Sequence, residues 1–179
     1  MPAGICFFFI KEIFAMAKAR TPYLPKDKKF LYVHRTNVYM LMAKKFAKEH
    51  SLDKVMPGAA VLVKDGKVIG IGANGTDYHE REGCRRAPFN CKDGEQMRMC
   101  PGCSPENHSE QRALADAWRR KNNTIGADLY LWGHWWCCKD CWRALANSFV
   151  YNVYLVEESF VLFNKEHPYN VIGRQFELL

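Results

Sequence analysis

Asn107-His108-Ser109-Glu110-Gln111-Arg112-Ala113-Leu114 and, downstream, Cys137-Cys138-Lys139-Asp140-Cys141 carry the most pointed chemistry of this 179-residue chain. Together they make a His-x-Glu pattern followed by a Cys-x-x-Cys pattern. One imidazole and two thiolates are good ligands for a borderline-soft cation such as zinc. Three protein ligands leave the fourth tetrahedral position for water, which marks a catalytic rather than a structural site. Side chains at i and i+2 diverge in mid-helix, so His108 and Glu110 share a site at a helix start. Ser104, Pro105 and Asn107 are residues of such a start. Ala113, Leu114, Ala117 and Trp118 then follow the helical period, which predicts a helix over 105–121. Cys138 and Cys141 are three residues apart and share a face, just ahead of a second helical run over 139–149. Two helix N-termini aimed at one cation favour thiolate over thiol and hydroxide over water. Zinc with one neutral imidazole and two thiolates is a neutral complex. A third thiolate, from Cys137, would oppose the acidification of bound water.

Each piece has a plainer reading alone. Glu110 lies three residues after Asn107, the spacing of a capping box. A lone histidine at a helix start is more often a capping or surface residue, and a lone Cys-x-x-Cys can be redox-active. In this order and combination, His108-Ser109-Glu110-Gln111-Arg112-Ala113-Leu114 and Cys137–Cys141 resemble the zinc-dependent cytidine and deoxycytidylate deaminase superfamily. The resemblance covers roughly residues 36–160. It implies an α/β fold, a three-layer α/β/α sandwich with a mixed sheet. It implies a catalytic zinc on His108, Cys138 and Cys141, with Glu110 as the catalytic proton carrier. The implied reaction is hydrolytic deamination of cytosine to uracil: hydroxide attacks C4, and Glu110 relays the proton to N3 and the leaving amine. Backbone N–H groups at Ser109 and Cys138–Lys139 suit the charge that develops in the pocket. The family usually has proline where this chain has Cys137.

Val38, Leu41, Met42, Lys45 and Phe46 follow the helical period and predict a first helix over 36–50. Ala59 to Gly75 reads as a β-hairpin. Two β-branched runs flank Lys64-Asp65-Gly66-Lys67, whose Asp-Gly pair suits a tight turn. Its end, Gly72-Ala73-Asn74-Gly75, is similar to a family loop, and the resemblance implies that Asn74 contacts the sugar of a nucleotide. The plain reading is an Asn-Gly turn. Ala127 to Trp132 and Tyr151 to Val156 read as strands, and strand–helix–strand order predicts parallel pairing. Trp135, in Trp135-Trp136-Cys137-Cys138, matches a residue that lines the base pocket in the polynucleotide-editing branch of the family. The bland alternative is a core tryptophan. Glu158 to Glu166 reads as a helix and Phe176 to Leu179 as a short edge strand.

Residues 76–107 form a polar insert that holds Cys84, Cys91, Cys100 and Cys103. Cys100-Pro101-Gly102-Cys103 is a tight knuckle, and four thiolates can close a tetrahedron around a structural zinc. Deoxycytidylate deaminases often have an additional zinc in a comparable insert. His79 and His108 are alternative ligands, but His108 is needed at the catalytic site. Disulfides or free thiols are the other readings of the four cysteines. Arg81, Arg85, Arg86, Lys92 and Arg98 surround them. These cations either offset the charge of the thiolates or bind a substrate phosphate.

Residues 1–48 carry a net charge of +8, whereas the remainder carries −1. Residues 1–30 read as a basic N-terminal arm, with a short helix over 5–18, ahead of a single domain over 31–179. A basic face could meet a polynucleotide; the bland reading is a solvated surface. Cysteines used as metal ligands must be reduced, which points to the cytoplasm. Ala15-Met16-Ala17 resembles an export cleavage site, but the apolar run before it is short and interrupted by Lys11-Glu12. Met16 is an alternative start of the reading frame. No apolar run approaches the 18 residues of a membrane span, so no membrane partner is expected.

Three functions compete. The favoured one is deamination of a free (deoxy)cytidine nucleotide, deoxycytidylate to deoxyuridylate, suggested by the Asn74 loop, the cysteine-bearing insert and the His-Ser-Glu-Gln motif. The second is deamination of cytosine in single-stranded DNA or RNA, suggested by Trp135 and the basic first third. The third is a non-catalytic, zinc-stabilised nucleic-acid-binding module, which has no need of Glu110. A homo-oligomer is expected by analogy with relatives.

Overall fold

Asp65 and Gly66 reverse the chain between β2 (Ala59–Lys64) and β3 (Lys67–Ala73) with φ of 50° and 73°. Asp and Gly tolerate this left-handed backbone, which is why the Asp-Gly pair specifies the hairpin. The computed structural model describes residues 21–179. The helix expected over 5–18 lies outside them.

The hairpin is one end of a five-stranded sheet with the order β1 (Phe30–Val33), β5 (Asn152–Val156), β4 (Asp128–Trp132), β2, β3. β1–β5 and β5–β4 pair parallel, whereas β4–β2 and β2–β3 pair antiparallel. The parallel β4–β5 pair is joined by helix α4 (Lys139–Asn147), as a crossover connection demands. Side-chain alternation along the strands divides the core in two. Ala60, Leu62, Leu129, Leu131, Val153 and Leu155 meet helix α3 (Ser109–Arg119) and α4 on one face. Ala59, Val61, Val63, Tyr130, Trp132 and Val156 meet helix α1 (Val38–His50) on the other. The result is the expected three-layer α/β/α sandwich around a mixed sheet.

Strand β3 is an edge, and α3 covers it. Gly70 and Gly72 make the approach possible. A Cβ at Gly70 would lie 2.3 Å from the Ala113 carbonyl oxygen, and one at Gly72 would lie 2.4 Å from the Ala113 nitrogen. Three backbone groups of the edge are then satisfied by side chains. Asp116 accepts from Ile71 N–H at 3.1 Å, Arg112 donates to Ala73 O at 3.2 Å, and Asn122 donates to Ile69 O at 2.6 Å. An edge bonded in this way is closed to another strand.

Several elements differ from expectation. The first helix begins at Val38, where Asn37 caps it by accepting from Tyr39 and Met40 N–H. The helix expected over 105–121 is a 3-10 turn at Pro105–Asn107, then an extended His108, then α3 from Ser109. Asn107 does not cap it; its side chain donates to Pro101 O and accepts from Arg112. Phe30–Val33, read as the end of an arm and the entry to the domain, is an edge strand of the sheet. The helix expected over 158–166 is the shorter α5 (Ser159–Phe163). The edge strand expected at 176–179 is instead a helical turn, α6 (Gln175–Leu178). Phe176 stacks on Trp132 at 5.2 Å instead of joining the sheet. The insert contains the helix α2 (Tyr78–Glu82) and four short 3-10 turns.

Candidate active site

His108 is the residue immediately before α3, with φ −79° and ψ 147°, so its side chain leaves the chain at the helix mouth. Cys138 occupies the same position ahead of α4, where its Sγ accepts from Cys141 N–H at 3.3 Å. The two helices thereby bring His108, Cys138 and Cys141 together. His108 Nδ1 lies 3.5 Å from Cys138 Sγ and 3.4 Å from Cys141 Sγ. A tetrahedral zinc with ordinary bond lengths spaces its N and S ligands about 3.5 Å apart. The donor set and its spacing therefore fit zinc.

Glu110 is 4% exposed, and its carboxylate falls within 4.8 Å of the Cys137 and Cys141 sulfurs. Ser109 donates to its Oε2 at 3.1 Å. Cys141 is thus common to two groups of donors: His108–Cys138–Cys141 and Glu110–Cys137–Cys141. Chemistry separates them. The second group would consume the carboxylate as a ligand and leave His108 idle. Burial pushes the Cys137 thiol far up, which keeps it protonated. The hydrogen bond with Cys141 raises the Cys138 thiol, and the one with Cys137 raises Cys141. His108, Cys138 and Cys141 would hold a divalent cation as thiolate and imidazole ligands, and such a cation would reverse that shift for the two sulfurs.

The four insert cysteines do not all converge. His79, Cys84, Cys100 and Cys103 offer donor atoms within 4.8 Å of one another, and Cys91 is not of the group. His79 Nε2 is 3.3 Å from Cys100 Sγ and 3.5 Å from Cys103 Sγ, and Cys84 and Cys103 sulfurs are 3.7 Å apart. Tetrahedral zinc gives S to S edges of about 3.8 Å. The expected four-thiolate set is therefore corrected to three thiols and one imidazole. His79 sits against Gly102, where any Cβ would lie 2.4 Å from its Nε2. This glycine of the knuckle makes room for the histidine. Burial raises Cys103 to about 12, whereas Cys100 falls to about 6, because backbone N–H groups and His79 outweigh its burial.

A cavity of about 210 Å³ opens over His108, Glu110 and Cys138. Asn74, His134, Trp136, Arg86 and Asn107 are in its wall, and so are His79 and Cys103 of the second group. Trp135 is not. It is 8% exposed, packs edge-on against Phe160 at 5.1 Å, and lines a neighbouring groove. The tryptophan that lines the cavity is Trp136. Asn74 lines the cavity, yet its amide is fully engaged by protein. Its Oδ1 accepts from Gly58 N–H and Ser51 Oγ–H, and its Nδ2 donates to Met56 O and faces His134 Nε2.

The basic residues of the insert are mostly paired. Arg81 bridges to Asp77, Arg98 to Asp140, and Arg85 lies over the Tyr78 ring. Among the described residues, Arg86 is the one Lys or Arg in the cavity wall. It donates to Glu95 O, Lys92 O and Cys103 Sγ, which uses three of the five N–H groups of a guanidinium.

Residues 33–157 match the model of the cytidine and deoxycytidylate deaminase zinc-binding region. The chain belongs to this family. The metal-type group His108–Cys138–Cys141 and Glu110 fall within the matched span. No curated protein sequence matches the chain. Among solved structures, the deoxycytidylate deaminase of cyanophage S-TIM5 in complex with dCMP and dUMP is 28% identical, with a TM-score of 0.45. The match covers 65% of this chain and 76% of that one. A guanine deaminase of Bacillus subtilis is 21% identical with a TM-score of 0.42, covering 66% and 61%. A tRNA:A34 deaminase that edits the wobble position is 23% identical with a TM-score of 0.43, covering 65% and 72%. No described helix is long and apolar enough to cross a membrane.

Proposed function

We propose that the protein hydrolytically deaminates cytosine in a free (deoxy)cytidine nucleotide, converting deoxycytidylate to deoxyuridylate. The observation that carries this reading is the zinc-like spacing of His108, Cys138 and Cys141 beside a buried Glu110, at a cavity lined by His108, Glu110 and Cys138. Zinc on these three ligands supplies a Lewis acid that makes water acidic near neutral pH. Glu110 is the proton carrier: water adds at C4, the carboxylate moves one of its protons to N3 and the other to the amine, and ammonia leaves as the C4 carbonyl forms. Glu110 is 4% exposed, so the carboxylate is largely shielded from bulk water. Backbone N–H groups at the α3 and α4 mouths, at Ser109 and Lys139, would be the donors for the charge that builds up on the ring. Trp136 offers a ring face to the base.

Arg86 is the phosphate anchor in this reading. It is the cation of the cavity wall, and two of its N–H groups are unspent. A second, structural zinc on His79, Cys84, Cys100 and Cys103 holds the wall on which Arg86 lies. Both metals need reduced thiols, which favours a reducing compartment such as the cytoplasm.

One observation favours a second reading, cytosine in single-stranded nucleic acid. The groove beside the cavity shares Asp93, Gly94 and Trp136 with it and adds Trp135, Phe160, Lys92 and Lys139. Bases can stack on such a surface. Its acids, Asp93, Glu95 and Glu166, cancel the lysines, which weighs against a polyanion. A deamination panel separates the two: deoxycytidylate, cytidylate, cytidine, single-stranded DNA and RNA, each at low and high salt. Turnover of the mononucleotide with weak salt dependence is expected. Turnover confined to oligonucleotides, falling steeply with salt, would transfer the function to polynucleotide editing.

A further inference from the structure

The cavity wall is short of positive charge. Among the described residues, Asp53, Asp93 and Glu110 line it against one lysine or arginine, Arg86. A divalent ion on two thiolates and an imidazole would leave that balance unchanged. A nucleoside monophosphate brings close to two further negative charges at neutral pH. Two of the three acids are otherwise engaged. Glu110 is the proton carrier, and Asp53 Oδ1 accepts from Val55 and Met56 N–H at 3.0 and 2.8 Å. Asp93 is the acid that needs a counter-charge.

The turn Lys92-Asp93-Gly94-Glu95 carries that acid beside Arg86. Arg86 Nε donates to Glu95 O at 2.9 Å and its Nη2 donates to Lys92 O at 2.6 Å, so the guanidinium is clasped by both ends of the turn. Glu95 N–H donates to Lys92 O at 3.1 Å, and the Glu95 carboxylate accepts from Lys92 N–H at 3.1 Å. Arg86 spends these bonds on carbonyls, and Asp93 takes its cation from elsewhere in the chain. Lys165 Nζ lies 2.7 Å from Asp93 Oδ1. A local turn holds Lys165 in place: Asn164 Oδ1 accepts from Glu166 N–H at 3.1 Å, and Asn164 O accepts from His167 N–H at 2.9 Å. The lysine and aspartate side chains are 52% and 36% exposed, and a pair of this kind contributes little to stability. What it does change is the charge at the rim of the cavity.

Resting on the reading of the cavity as a nucleotide site with Arg86 as its phosphate anchor, we propose that Lys165 is a positioning residue that neutralises Asp93 and so keeps the Arg86 end of the cavity receptive to a phosphate dianion. Without Lys165, an unpaired carboxylate stands on the turn that clasps the anchor, and it repels the phosphate through space. The repulsion acts on binding of the charged group and not on the chemistry at the base. It therefore raises KM for a nucleotide and leaves kcat alone. A nucleoside, which has no phosphate, is indifferent to it.

The test measures deoxycytidylate turnover by the zinc-loaded full chain, with deoxycytidine read as a competitive inhibitor of it. Lys165→Met should raise KM for deoxycytidylate by roughly three- to tenfold at low salt, with kcat and the inhibition constant of deoxycytidine held. Lys165→Arg, which keeps the charge, should behave as wild type. The double variant Asp93→Asn/Lys165→Met removes both charges and should bring KM back to within about twofold of wild type, because no unpaired carboxylate remains. Metal content and thermal midpoint, measured in parallel, identify a variant that fails to fold, and Lys165→Gln takes the place of Lys165→Met if that one does. An unchanged KM in Lys165→Met, an equal weakening of deoxycytidylate and deoxycytidine, or a double variant no better than Lys165→Met would overturn the proposal. Absence of deoxycytidylate turnover by a wild type that holds its zinc would overturn the nucleotide reading itself, and this shows before any variant is assayed.

Discussion

At the scale of the residue, the site is decided by what each side chain has left to offer. His108, Cys138 and Cys141 were legible because a His-x-Glu and a Cys-x-x-Cys announce three ligands and a proton carrier in short runs of chain. His79 was harder to place than the cysteines, since a lone histidine 21 residues ahead of Cys100 carries no spacing signal. Asn74 reads as a ligand contact by resemblance. Its four hydrogen bonds depend on residues 51, 56, 58 and 134, which no local pattern connects. Trp135 and Trp136 are adjacent, and the sequence does not say which faces the cavity; packing against Phe160 withdraws the first. Cys137 is the residue on which the assignment is most exposed. A fully buried thiol, protonated and outside the His108 group, is a spectator. Cys137→Ala should keep its catalytic zinc and retain kcat within about threefold of wild type, as a small buried change with no ligand role. Loss of one metal per chain in this variant, read by elemental analysis, would make Cys137 a ligand after all.

At the scale of the element, periodicity recovered what repeats locally and missed what depends on partners. The hairpin, α1, α3, α4 and the strands β4 and β5 have a turn signal, a helical stripe or a β-branched run. Strand β1 has four residues and no alternation to read, and it exists because β5 offers it a parallel edge. Residues 175–178 form a helical turn that packs Phe176 on the Trp132 ring. The α3–β3 contact makes a further claim. Asp116 is 9% exposed and accepts from Ile71 N–H, Arg119 and Arg120. Burial works to raise its pKa, but Arg119, the Ile71 N–H and Arg120 outweigh it and hold the carboxyl below the ordinary range. A depressed folded pKa gives a contribution that is complete above the unfolded value of about 3.9 and is lost as pH falls through the folded value. Asp116→Asn should therefore cost about 2 kcal/mol at pH 7, measured by urea unfolding. The gap to wild type should narrow below about pH 4. A pH-independent difference would mean that the charge plays no part.

At the scale of the molecule, the insert is a wall of the site and not an appendage. Arg86, Gly94, Met97 and Cys103 line the cavity, and Gly94 passes so close to Trp136 that a Cβ there would lie 2.7 Å from the ring. Lys165 reaches back from the C-terminal segment to Asp93 at 2.7 Å. Metal in the His79 group would then stabilise a surface that substrate touches. The double variant Cys100→Ser/Cys103→Ser should drop the metal content from about two to about one per chain, because structural thiolate sites bind tightly only when complete. Its insert should become sensitive to limited proteolysis between residues 84 and 103, and KM for nucleotide should rise more than kcat falls. An unchanged metal count would remove the second zinc from the account. The three-layer fold and the convergence of His108, Cys138 and Cys141 were readable from sequence. The composition of the second donor group and the route by which the insert reaches the cavity were not, because both depend on how 3-10 turns without periodicity pack.

The central claim is that Glu110, beside zinc on His108, Cys138 and Cys141, deaminates a cytosine nucleotide. The measurement that tests it most directly is uracil formation from deoxycytidylate by the zinc-loaded protein, with Glu110→Gln compared at equal metal content. The account expects steady turnover by wild type and a loss of about a thousandfold or more in the variant, whose zinc is retained. Turnover by Glu110→Gln at the wild-type rate, or none by a wild type that holds its zinc, would contradict it.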